Sequence, residues 1–238
     1  GGMAAAGLFA AGWGVGMQSM SLILSSFGTY VLPTVAATAG EERRKVLQDS
    51  ATLLLGISLP LLTALLLFKP LVLRILFTAE FLPAVALLQW LLLGNYLKAL
   101  LWVAAVPMLA TADVRRYLVV EVGWYVLFAG GSALAMQAVD WLPAIGAAFV
   151  GTYVIYLLAA LWFADRRYGF RLAPRSVAGL LGGAAVLVLA AGLTGNDTTG
   201  RWTLAISLPI VAATVALLAL TPQQRQRGRL LALRMVRR

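Results

Sequence analysis

A chain of 238 residues with a mean hydropathy of +0.89, 61% hydrophobic and only 12% charged residues is too apolar for a water-soluble globular domain. It contains neither cysteine nor histidine, which removes disulfides, thiol chemistry, zinc centres and imidazole acid–base work, and no catalytic group, metal or cofactor is expected. The formal charge of +10 would suit nucleic acid, but the basic residues sit in short segments between apolar runs, a pattern that membrane topology explains and nucleic-acid binding does not.

Seven runs are long and apolar enough to be drawn as spans: residues 4–32, 51–68, 83–110, 117–138, 142–163, 177–193 and 203–220. The expected fold is therefore all-α, a polytopic transmembrane helical bundle of about seven spans over residues 1–222, followed by a basic tail at 223–238.

The first run is long and carries polar residues at helical spacing. Gly14, Gln18, Ser21, Ser25 and Thr29 fall within about 80° of one another on a helix, which gives this span a wet face or a closely packed one. The run Gly12, Gly14, Gly16 is not a nucleotide fingerprint, because no strand precedes it and no ribose-binding acid follows in context. The link EERRK leads to the second run, which contains Pro60. Residues 69–82 read as a half-apolar link lying along the interface.

The third run holds one fixed charge, Lys98, near its middle. On an insertion scale a central Lys costs about 2.5–3.5 kcal/mol and each Leu returns roughly 0.3–0.6, so the leucines carry it across without explaining its presence. Gly94, Asn95, Trp102 and Ala105 share the Lys98 face, while Gln89 and Tyr96 point away. That stripe is expected against protein or water. Lys98 either lines a translocation cavity or packs by snorkelling or pairing; snorkelling is awkward from about a dozen residues inside either end at ~1.5 Å each.

Glu121 lies about two turns inside the fourth run, with roughly 10 Å of axial offset between it and Lys98. Gly123, Gly130, Gly131, Gly146 and Gly151 suit close helix contacts. Asn196, Asp197 and Thr198 spell a glycosylation sequon, read here as chance. The tail RQRGRLLALRMVRR has a basic and an apolar side, as a segment lying on anionic lipid would.

Fifteen of the nineteen Lys and Arg residues fall on one side of this topology, three (Lys69, Arg74, Arg201) on the other, and Lys98 within. The basic side, with the tail, is then cytoplasmic and Gly1 is outside. With no start methionine and no basic n-region ahead of Ala4, the chain reads as the C-terminal piece of a longer protein; if the parent begins in the cytoplasm, an odd number of spans is missing upstream.

The strings Gly28-Thr29-Tyr30, Leu32-Pro33, Phe68-Lys69-Pro70-Leu71 with Arg74, Glu80-Phe81-Leu82-Pro83-Ala84, and Leu91 to Lys98 (LLLGNYLK) occur in the order found in a known family. From about Gly12 to Leu172 the chain resembles the lipid-linked oligosaccharide flippases, the O-antigen and enterobacterial common antigen translocases of the multidrug/oligosaccharidyl-lipid/polysaccharide exporter superfamily.

The resemblance implies fourteen helices in two lobes around a central cavity, with both termini cytoplasmic. This chain would supply most of the C-terminal lobe, and the missing N-terminal lobe would be its partner. It implies alternating-access movement of undecaprenyl-pyrophosphate-linked oligosaccharide, in contact with polysaccharide assembly proteins, with Lys98 offsetting pyrophosphate charge and the first span's hydroxyls meeting sugar or water. The expected substrate-binding set is Lys98, Asn95, Gln18, Ser21, Ser25 and Glu121. Family members often carry an acid where this chain has Asn95, so no charge relay is implied there. Rival readings are drug export by the same superfamily, a membrane-embedded glycan-assembly enzyme and a scaffold subunit. The enzyme would have only Glu80, Asp140 and Asp197 as outside acids.

Overall fold

The computed structural model of the chain describes residues 2–138 and 141–193, together with Pro209 and Ala212. Apart from Pro209 and Ala212, the expected seventh span lies outside the described residues, as do the sequon, Asp140, Arg201 and the basic tail. Within them there are six α-helices and no strand: α1 (Gly2–Ala37), α2 (Gly40–Leu76), α3 (Val85–Ala110), α4 (Val114–Ala135), α5 (Trp141–Tyr168) and α6 (Pro174–Leu193), with a 3-10 turn at Ala79–Ala84 ahead of α3. All six helices are long and apolar enough to cross a membrane by length and composition. The result is an all-α bundle with six candidate spans among the described residues, where the sequence led us to expect about seven over the whole chain.

The largest departure is at α2. Its 37 residues rise about 55 Å, well beyond a hydrocarbon core of ~30 Å, and they include Glu41 to Lys45 at one end and Lys69 and Pro70 near the other. Residues 69–76, read from the sequence as part of an interfacial link, instead continue the helix. Proline breaks helices in water, but inside a bundle neighbouring helices re-satisfy the freed backbone groups, and Pro60 and Pro70 both sit within α2.

The helix α3 is the central post. One side meets α1 in parallel: Leu87 lies beside Gly12, Leu91 beside Gly16 and Trp102 beside Gly28. Another meets α5, also in parallel, where Phe149 crosses Gly94 and Trp90 crosses Gly146. On a third side the Tyr96 hydroxyl donates to the Gly179 carbonyl of α6 at 2.8 Å, and α2 runs antiparallel alongside, with Lys69 Nζ donating to Gln89 Oε1 at 2.9 Å. Small residues permit these close approaches, and packing rather than water expulsion holds helices together in lipid. An aromatic cluster of Trp13, Trp124, Phe128, Phe149 and Tyr153 joins α1, α4 and α5 around this post.

One end of the bundle collects the cations and their acids. Arg44 pairs with Glu41, Arg116 with Asp113, Arg171 with Asp165 and Arg175 with Asp49. The chain reverses there three times through left-handed residues: Gly40 (φ 56°) where α1 gives way to α2, Ala112 (φ 53°) between α3 and α4, and Gly169 (φ 63°) after α5. At Gly169 the amides of Gly169 and Phe170 return to the Asp165 and Ala164 carbonyls, a Schellman-type stop that drops Phe170 into the core.

Candidate functional site

The two faces of α1 differ in kind. Gly12, Gly16, Met20, Leu24, Val31 and Val35 are buried against the bundle, whereas Gly14, Gln18, Ser21, Ser25 and Thr29, on the opposite side, are exposed. The hydroxyls of this stripe bond back to their own helix: Ser21 to the Gln18 carbonyl at 2.9 Å, Ser25 to Leu22 at 3.1 Å and Thr29 to Ser26 at 2.8 Å. Each hydroxyl proton is therefore used and its lone pairs face outward, a surface that accepts hydrogen bonds. Gln18 makes no side-chain hydrogen bond among the described residues. Its amide, halfway along the helix, has two donors and an acceptor to satisfy from outside the bundle.

The outward faces of the other helices are apolar by comparison. Leu118, Val122 and Val126 on α4, Val154, Ile155 and Leu158 on α5, and Leu181, Val188 and Leu189 on α6 are all exposed, as lipid-facing residues are. Among the described residues only α1 presents a continuous polar row.

Lys98 is half-buried at the flank of that row, its Nζ 3.8 Å from Met17 Sδ. Met17 and Ser21 are four residues apart, hence neighbours one turn along α1, so the ammonium lies at the stripe's border. A thioether is a weak acceptor, and it leaves most of the ammonium's capacity unused. Glu121 is exposed on α4, and it forms no ion pair with Lys98 among the described residues, in keeping with their axial offset.

Asn95 is placed differently. It is fully buried, and its Nδ2 donates to the Gly16 carbonyl at 2.6 Å, on the side of α1 opposite the stripe. It ties α3 to α1 one turn from Lys98, while its Oδ1 has no partner among the described residues. Gln18, Ser21, Ser25 and Lys98 thus share one flank of α1, Glu121 is exposed on α4 without pairing to Lys98, and Asn95 is set apart inside the helix contact.

Sequence reasoning missed Lys69. It is 4% exposed and bonded to Gln89, inside α2 rather than in a loop. The signal was present in the spacing, because Leu62, Leu66, Lys69 and Leu73 fall at 4, 3 and 4 residue steps and all four are buried on one face.

The described residues contain no group of His, Cys, Asp or Glu able to hold a metal ion. No family model matches the chain, and neither the curated proteins nor the solved structures yield a match.

Proposed function

We propose that the chain is part of a membrane transporter that moves an undecaprenyl-pyrophosphate-linked oligosaccharide across the bacterial inner membrane, from the cytoplasmic to the periplasmic leaflet. In this reading the α1 stripe lines the path, a second lobe of the same protein stands opposite it, and the arginine-rich end of the bundle is cytoplasmic. The observation that carries the reading is Gln18: an amide exposed mid-helix with no partner of its own. In hydrocarbon an unsatisfied polar group costs several kcal/mol, so this face meets water, substrate or protein.

Lys98, beside the same stripe, supplies a cation where a pyrophosphate would pass, and in a low-dielectric cavity one positive charge offsets an anion far more than it would in water. Asn95 acts by position, fixing the register of α3 against α1. No bond is made or broken in the substrate, which agrees with the lack of any catalytic constellation in the sequence.

The test is a complementation assay in cells making the whole protein, normalised to protein level. Lys98→Ala removes an intramembrane charge and lowers the cost of insertion, so abundance stays near normal while delivery of lipid-linked sugar to the outer leaflet fails. Lys98→Arg retains part of the flux, since charge remains but geometry differs. Wild-type flux per molecule from Lys98→Ala contradicts the assignment.

A further inference from the structure

A cleft of about 420 Å³ opens at the arginine-rich end, far from Lys98, where the end of α3, the start of α4 and the end of α5 meet. Its mouth is polar, with Asp113, Arg115 and Arg116. Its walls are apolar, with Met108, Val119 and Phe163. Arg116 is held by the Asp113 carboxylate, which also accepts the Arg116 amide and caps α4, so these two charges cancel and serve the fold. Arg115 is different: it is exposed and makes neither a hydrogen bond nor an ion pair among the described residues. Arg167, also exposed, lies one turn beyond Phe163 on the same side of α5, towards the same end.

The apolar wall does not stop at the cleft. Val119, Val122 and Val126 follow one another at 3 and 4 residue steps along α4, and all are more than half exposed. Cations at the bundle's end therefore stand directly above an apolar track that runs down a candidate span. A free phosphate would use only the cations. A molecule with a phosphate head and an acyl chain would use both.

We propose that this cleft binds one acidic phospholipid, with its phosphate at Arg115 and Arg167 and an acyl chain along Val119, Val122 and Val126. A basic side chain near an anionic headgroup contributes about 1 kcal/mol, which is roughly a fivefold change in affinity per arginine.

The test is native mass spectrometry of the purified whole protein in detergent, titrated with phosphatidylglycerol, phosphatidylcholine and inorganic phosphate. One phosphatidylglycerol should be retained in preference to phosphatidylcholine. Arg115→Gln should weaken that retention about fivefold and Arg115→Gln with Arg167→Gln further, while Arg74→Gln, outside the cleft on α2, should not. Val119→Trp keeps every charge and fills the cleft, so it should also weaken lipid retention, with unchanged melting temperature as the check on folding. Equal retention of the two lipids, loss with Arg74→Gln as great as with Arg115→Gln, or inorganic phosphate competing at concentrations matching the lipid would each overturn the proposal.

Discussion

A Cβ built on Gly94 would overlap Cδ1 of Phe149 and lie 2.5 Å from its Cε1, and one on Gly146 would lie 2.5 Å from the Cβ of Trp90, an atom that cannot swing away. These two glycines set the distance between α3 and α5. Gly146→Val should cost about 1–3 kcal/mol, as forced overpacking does, read as a lower midpoint in denaturant titration of the detergent-solubilised protein. Gly151, on the same helix, meets nothing within 4 Å, so Gly151→Ala should leave the midpoint unchanged or slightly raised. The left-handed turns give an opposed pair. Gly169→Ala should destabilise by about 1 kcal/mol, and Ala112→Gly, which relieves a Cβ already in the left-handed region, should stabilise by up to about 1 kcal/mol in the same titration. From the sequence, the glycines of the fourth and fifth runs read as packing residues as a group. Which of them bear on a ring could not be read, because that depends on the rotation of each helix about its axis.

At the scale of elements, α2 and α6 are joined at their starts. Arg175 pairs with Asp49 at 2.6 Å, Gln48 Nε2 donates to the Arg171 carbonyl at 2.7 Å, and the Thr52 and Ser176 hydroxyls are 2.9 Å apart and buried. The ion pair is partly solvated and worth at most about 1 kcal/mol, while the buried hydroxyl pair contributes about as much again. Thr52→Val alone strands the Ser176 hydroxyl and should cost about 1–3 kcal/mol, whereas Thr52→Val with Ser176→Ala should recover most of it; a melting series of the three variants checks this. None of these pairings was legible from the chain, since residues 48–52 and 171–176 are more than a hundred positions apart. What the sequence did carry was the existence of the elements. Apolar runs of the right length located all six described helices, and their boundaries moved most where helices extend beyond hydrocarbon thickness, as in α2.

Over the described residues, the outer faces of α2, α5 and α6, and that of α4 apart from the exposed Glu121, are largely apolar, whereas the outer face of α1 is polar. The periodicity of Gln18, Ser21, Ser25 and Thr29 put them on one side of a helix. Whether that side turned inward or outward depended on how α1 met α3, and the Asn95 and Gly16 contact places it outward. A transport path along that face requires it to meet water rather than lipid, and thiol accessibility separates the two at equal exposure. Single cysteines at Gln18, Ser21 and Ser25 of the whole protein, and at Val126 on the lipid-facing side of α4, are all exposed on the bundle, so packing alone predicts equal labelling. A membrane-impermeant, water-soluble maleimide should label the three α1 positions from at least one side of the membrane and leave Val126 unlabelled, because a thiol in hydrocarbon neither ionises nor meets the reagent. Protection of all four positions alike would contradict a water-facing α1 and, with it, the transport path.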